Sequence, residues 1–277
     1  MTKTIVITGC SSGIGLCAAH TLGQRGYSVI ATVRSEGDVS KLKKEGIKHV
    51  VIMDLACSRS IENAVEEILE ICDGRLYALF NNAAYGQPGA VEDLSRDVLR
   101  KQFEVNVFGT HELTTRLLPT LLAMPNARII QNSSVLGFVA MPMRGAYNAS
   151  KFALEGLSDT LRLELIGTSV RLCVIEPGPI VSRFRANALS AFTREINLLG
   201  SRHTASYDVA LARLKQNGPS ARFTLGPEAV VKKLIHALES GRPKQRYFVT
   251  FPTYLMAVLK NLLPGWLLDK VLIKAGG

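Results

Sequence analysis

The sequence predicts an α/β fold: a doubly wound parallel sheet in a single domain. Three observations carry this. Short β-branched apolar runs alternate with stretches of helical period. Most of those runs are apolar at every position, the pattern of strands covered on both faces. The connections between them are short, with no internal repeat and no low-complexity linker. At 277 residues the chain is long enough to bury a sizeable core without staples.

The elements follow in order. Thr4–Thr8 (TIVIT) reads as the first strand and Ile14–Gln24 as a helix. Tyr27–Val33 is the second strand. After a Lys-rich helix, His49–Met53 is the third. Ile61–Ile71 places Ile61, Ala64, Val65, Ile68 and Leu69 on one helical face. Tyr77–Phe80 is the fourth strand, ending at the turn-like Asn81-Asn82. A long helical stretch, in one or two pieces, runs to Met124. Arg128–Gln131 is the fifth strand, Ala149–Ile166 a helix, and Arg171–Glu176 the sixth strand, stopped by Pro177. The rhythm then breaks. Residues 180–226 read as an insertion with some helix and no clear strand. Glu228–Glu239 is a helix, Tyr247–Thr250 a short strand, and the remainder an apolar tail.

The formal charge is +10, and it is unevenly placed. Residues 1–182 hold 18 Lys+Arg and 18 Asp+Glu; residues 183–277 hold 15 and 5. A basic surface suits an anionic ligand, a membrane or nucleic acid. No nucleic-acid recognition motif accompanies it, so no nucleic-acid partner is expected. The five cysteines form no CxxC pair, which points to a reducing, cytoplasmic setting rather than a disulfide framework or metal site. The N-terminal MTKTIVITG does not read as a signal peptide.

The first strand runs into Thr8-Gly9-Cys10-Ser11-Ser12-Gly13-Ile14-Gly15 and then a helix. Glycines at this first strand–helix junction let a pyrophosphate approach backbone N–H groups at a helix N-terminus, as in a Rossmann-type nucleotide fold. Ser11 and Ser12 add hydroxyl donors. The second strand ends Ala31-Thr32-Val33-Arg34, with no acid to hold a ribose 2′-OH. Arg34 matches a 2′-phosphate instead, so NADP(H) is favoured over NAD(H). Asp54, after the third strand, is placed for the adenine edge.

Tyr147-Asn148-Ala149-Ser150-Lys151 is a YxxxK pair. Seven tyrosines give one such pair by chance roughly a third of the time, so its context decides. The pair opens a helix, where i and i+4 share a face. A lysine cation beside a phenol lowers the phenol from about 10 and lets it exchange a proton with a carbonyl or alcohol oxygen. Ser134, thirteen residues earlier, can hold the same oxygen. Asn106 can anchor a water leading to Lys151.

With these residues in place, the chain resembles the short-chain dehydrogenase/reductase family in its shorter, single-domain form. The motifs run in family order: TGCSSGIG at 8–15, Asp54-Leu55, Asn81-Asn82-Ala83, Asn106, Ser134, YNASK at 147–151, and Pro177-Gly178-Pro179-Ile180-Val181-Ser182. The resemblance implies Tyr147 as acid/base, Ser134 as donor to the substrate oxygen, Lys151 on the nicotinamide ribose, and Asn106 in a proton relay. It implies cofactor contacts along Gly9, Ser11, Ser12, Gly13, Ile14, Gly15, Leu55, Asn82, Ala83, Pro177, Gly178, Ile180 and Ser182. One departure is Ala84, where the family pattern ends Asn-Asn-Ala-Gly. Ser133 stands beside Ser134, and spacing to Tyr147 alone separates the two. TGCSSGIG with ATVR also resembles the 17β-hydroxysteroid and retinol dehydrogenase branch. Residues 221–231 and 258–265 resemble bacterial NADP-dependent aldehyde reductases.

The expected activity is therefore NADP(H)-dependent reduction of an aldehyde or ketone, with an apolar small-molecule carbonyl or alcohol as substrate. A hydroxysteroid, retinol or β-ketoacyl reductase is the same-class alternative; a non-catalytic nucleotide sensor or membrane scaffold is the different-class one. The resemblance implies a homodimer or homotetramer. Residues 183–226 are expected to form a lid of apolar and arginine side chains, able to hold a long apolar substrate with an anionic end. Residues 251–277, with Trp266, Lys260, Lys270 and Lys274, have no apolar run long enough to span a bilayer. They are expected either to close the pocket or to rest peripherally on the inner membrane face.

Overall fold

The computed structural model describes residues 2–216, 218 and 222–276. Strands β1 (Thr4–Ile7), β2 (Ser28–Val33), β3 (His49–Ile52), β4 (Ala78–Asn81), β5 (Arg128–Asn132), β6 (Arg171–Pro177) and β7 (Arg246–Val249) form one sheet. Their order is β3-β2-β1-β4-β5-β6-β7, and each neighbouring pair is parallel. The chain winds outward from β1 in one direction and, after β3, crosses back to β4. That reversal opens a crevice beyond the carboxyl ends of β1 and β4, where ligands bind in such sheets.

One layer holds α1 (Gly13–Gln24), α2 (Glu36–Lys44) and α9 (Glu228–Glu239); the other is built around α3 (Ser58–Cys72), α5 (Thr110–Leu122) and α6 (Gly145–Glu164). Central β1 serves both: Ile5 and Ile7 face one core while Val6 faces the other. All three are fully buried, each worth ~1.5–3 kcal/mol relative to exposure. This two-sided burial is why the strands read as unbroken apolar runs.

The helical stretch after β4 divides into α4 (Arg96–Phe103), a π-helical segment (Glu104–Gly109) and α5. The insertion supplies α7 (Phe184–Glu195) and α8 (Thr204–Lys215), joined to the body by a bridge between Ile180 and Leu225. Residues 217 and 219–221, within the expected lid and at the start of the 221–231 stretch, lie outside the described residues. The tail folds as α10 (Phe251–Leu262) and α11 (Gly265–Gly276), broken at Leu263-Pro264. Met256 and Leu272 pack against Val135, Leu136 and Val139, so the tail covers the substrate side of the crevice. No helix among the described residues is long and apolar enough to cross a membrane.

Candidate active site

A cleft of about 1790 Å³ runs from the start of α1 to α7 and α8. Its nucleotide end is built by the first strand–helix turn. Gly13 takes φ +59°, and a side chain there would come within 3.1 Å of the Ser182 Cβ. A Cβ on Gly15 would collide with the Gly9 carbonyl oxygen. The glycines thus bring the turn, the helix start and the 177–182 segment together. Helix α1 opens at Ser12 with no side-chain cap and no acid in its first turn. Its leading N–H groups and the positive end of the helix dipole fit an anionic pyrophosphate. The residues present therefore fit a dinucleotide.

The loop after β4 is tied to that turn by Thr8. Its hydroxyl accepts the N–H groups of Asn82 and Ala83, both at 2.8 Å, and the Asn82 amide donates to the Thr8 carbonyl at 2.8 Å. The Asn132 amide donates to Asn82 Oδ1 at 2.9 Å, and Lys151 Nζ donates to the Asn132 carbonyl at 2.7 Å. A continuous polar path thus links the nucleotide turn to Lys151. Thr8 was legible as a motif residue; Asn132, one residue past the fifth strand as read from the sequence, was not singled out, because the path requires the fold.

Arg34 is exposed at the cleft edge beside the end of β2 and forms no ion pair among the described residues. Asp54 lines the cleft while its Oδ1 accepts the Ala56 N–H at 3.0 Å, so it also shapes its own turn. Leu55, Ala83, Pro177, Gly178, Ile180 and Ser182 line the same cleft.

Helix α6 begins at Gly145, four residues before the sequence reading placed it. The Arg144 carbonyl accepts the Asn148 N–H at 2.8 Å and starts the helix without a side-chain cap. Tyr147 and Lys151 are therefore one turn apart on one face, with Lys151 Nζ 5.9 Å from the Tyr147 ring centre. Ser134 faces the Tyr147 phenol, while its Oγ also accepts the Leu136 N–H at 3.1 Å. Ser133 Oγ is buried without a partner, close behind Gly137. The structure thus separates the two serines by direction.

Burial pushes the Tyr147 phenol up to about 12, and the Ser134 hydroxyl acts in the opposite sense. Burial likewise pushes Lys151 down to about 8, against the raising influence of Glu155. The expected lowering of the phenol by Lys151 is not what this arrangement gives: desolvation outweighs it. Both shifts favour the uncharged forms.

Asn106 sits in the π-helical segment, where the widened turn carries its side chain inward. Its Nδ2 donates to the Tyr85 carbonyl at 3.0 Å and to Ser150 Oγ at 3.1 Å, and its Oδ1 accepts the Tyr85 N–H at 3.2 Å. It therefore pins α6 and the loop after β4 rather than touching Lys151 directly. A second anchor was invisible in the sequence. Arg246 of β7 bonds Glu155 and Glu176, each at 2.5 Å, and Asp159 at 2.6 Å. It ties the middle of α6 to β6 and β7. Phe184 of α7 stacks edge-on against Tyr147 with ring centres 5.2 Å apart, so the insertion reaches the site.

The chain is similar to known proteins over most of its length. The short chain dehydrogenase family model matches residues 3–191. The chain belongs to the short-chain dehydrogenase/reductase family. It is 44% identical over 272 residues to the uncharacterized oxidoreductase YbbO of Escherichia coli K12, covering 98% of this chain and 94% of that one. It is 32% identical to the NADPH-dependent 3-dehydrocapnine reductase of Ornithobacterium rhinotracheale, covering 97% and 95%. A short-chain dehydrogenase/reductase from Burkholderia phymatum, solved in complex with NAD, superposes with a TM-score of 0.76 at 26% identity, covering 93% and 92%. The protein is thus an oxidoreductase of this family, with the fold expected from its sequence.

Proposed function

We propose that the protein reduces an aldehyde or ketone to an alcohol with NADP(H), and runs the reverse reaction with the oxidised cofactor. The observation that carries this is the convergence of Tyr147, Ser134 and Lys151 in the cleft that begins at the α1 N-terminus. The nicotinamide, when bound, supplies the hydride. Gly9, Ser11, Ser12, Gly13, Ile14 and Gly15 would hold the pyrophosphate half. Asp54, Leu55, Asn82 and Ala83 would flank the adenosine side; Pro177, Gly178, Ile180 and Ser182 would flank the nicotinamide. Ser134 orients the substrate oxygen, and Tyr147, neutral below about 12, gives it a proton. Lys151 stands behind the phenol to restore that proton, and Asn106 keeps α6 in register.

The preference for NADP(H) rests on Arg34 and the absence of an acid at the end of β2. The name of one relative, an NADPH-dependent reductase, supports it. The test is NADPH oxidation with a panel of aldehydes, ketones, steroids, retinoids and β-ketoacyl thioesters. Turnover of a carbonyl compound is expected; none with any of them would overturn the reading in favour of a nucleotide-binding role.

The outer face of the tail supports a second reading, peripheral contact with an anionic membrane. Phe251, Tyr254, Val258, Leu262 and Trp266 are exposed there beside Lys260, Lys270 and Lys274. Such a basic amphipathic surface complements anionic lipid. The protein is expected to pellet with vesicles containing phosphatidylglycerol, and Leu262→Ser with Trp266→Ser to reduce this severalfold. Equal pelleting of both forms, or of neither, would count against the tail.

A further inference from the structure

The lid end of the cleft carries positive charge that the proposed proton transfer does not use. Arg144, at the start of α6, Arg185 of α7 and Arg213 of α8 line the same cleft as Tyr147. Three other cations of this region have carboxylate partners: Arg202 with Glu92, and Arg194 and Lys101 with Glu195. The inner ones are handled differently. Arg144 Nη2 and Arg213 Nη1 donate to one shared acceptor, the Gly276 carbonyl, at 3.1 and 3.0 Å. Arg144 Nη1 meets the Met141 sulfur at 3.4 Å. Arg185 Nη2 donates to the Gly218 carbonyl, and its Nη1 is buried without a partner. Arg144 and Arg185 form no ion pair with a carboxylate among the described residues.

The backbone carbonyls that hold Arg144 and Arg185 orient these two guanidinium groups but do not neutralise them. Gathering such cations away from water is unfavourable, and their mutual repulsion adds to the cost. Burial pushes Arg144 down to about 10, with Arg213 adding to that shift; Arg213 is lowered by burial and then by Arg185. An oxyanion seated among them would offset both effects, and a guanidinium fork matches a carboxylate in shape as well as charge. The same cleft is also lined by apolar side chains, among them Phe184, Met141, Val209, Met256 and Ile273.

We infer that Arg144, Arg185 and Arg213 form a subsite for an anionic group, carboxylate in type, at the end of an apolar carbonyl substrate distal to the reacting carbon. This rests on the reductase reading above and names the substrate class for that site. The position differs from that of Arg34, at the opposite, nucleotide end. Arg144 immediately precedes α6, whereas Arg185 lies in α7 and Arg213 in α8, so the anion would also draw α7 and α8 toward the helix that bears Tyr147.

The test pairs binding with turnover. Calorimetric titration of the NADP⁺-loaded protein is done with octanoate and with octanol; NADPH-dependent kcat/KM is measured with ω-oxo-octanoate and its methyl ester. The anion is expected to be favoured about tenfold or more in each pair, with a preference that shrinks as salt rises. Arg185→Met and Arg144→Met are expected to cut that preference about tenfold, and Arg144→Lys to keep part of it. Arg185→Met stands alone if loss of the Gly276 contact unfolds the Arg144 variant. Affinity for NADPH should change little. Equal binding of octanoate and octanol, or variants that leave the preference intact, would overturn the subsite. So would variants that weaken NADPH as much as octanoate, since the arginines would then serve cofactor phosphate. Selective octanoate binding without turnover of either carbonyl would uphold the subsite and contradict the reductase reading.

Discussion

Tyr147→Phe is expected to lower kcat for carbonyl reduction by roughly 10²–10⁴-fold, the usual scale of a lost general acid. Affinity for NADPH should stay within about twofold, because the substitution removes one hydroxyl and leaves the ring. The edge-on contact with Phe184 is made by that ring, so lid packing and melting temperature should change little. The pH dependence has a definite sign. Tyr147 keeps its proton up to about 12, so it is a donor throughout the neutral range. Lys151 loses its proton as pH rises through about 8. If the ammonium resupplies the phenol, kcat/KM for reduction falls above that pH and alcohol oxidation gains. The limb near 8 should vanish in Tyr147→Phe. A variant that retained full activity would sink the acid/base assignment.

Arg34→Asp is expected to lower the ratio of kcat/KM with NADPH to that with NADH by roughly 10- to 100-fold. A charge-assisted hydrogen bond to a buried or phosphate oxygen is worth about 1.5–3 kcal/mol, which sets that range. The new carboxylate would repel a 2′-phosphate and accept a ribose 2′-OH. Arg34 is exposed and outside the ion pairs that hold the fold together, so the change should appear in cofactor choice and not in stability. An unchanged ratio would refute a 2′-phosphate role.

Strand positions were legible because a parallel strand covered on both faces is apolar throughout, as β1 is. Helix α9 matched its sequence reading at both ends, since its apolar stripe is bounded by Pro227 and Ser240. The start of α6 was not legible: no capping side chain marks it, and a backbone contact from Arg144 begins the helix. The π-helical segment at Asn106 was also hidden, because one widened turn barely disturbs an apolar period. Within the site, motif spacing located Tyr147, Lys151 and Ser134. It did not reveal Arg246 against Glu155 and Glu176, which depends on strand order β6-β7. Nor did it single out Arg144, which shares the carbonyl of Gly276, at the end of α11, with Arg213. Within the basic last third, Arg194 and Arg202 are paired with Glu195 and Glu92, while Arg185 and Arg213 line the cleft.

The proposed reaction turns on hydride transfer to a carbonyl carbon. The direct measurement uses NADPH carrying deuterium at the transferable nicotinamide position, with an aldehyde turned over by the wild-type protein. The account expects one deuterium on the carbinol carbon of the alcohol for each NADPH consumed. NADPH consumption without labelled alcohol would contradict it.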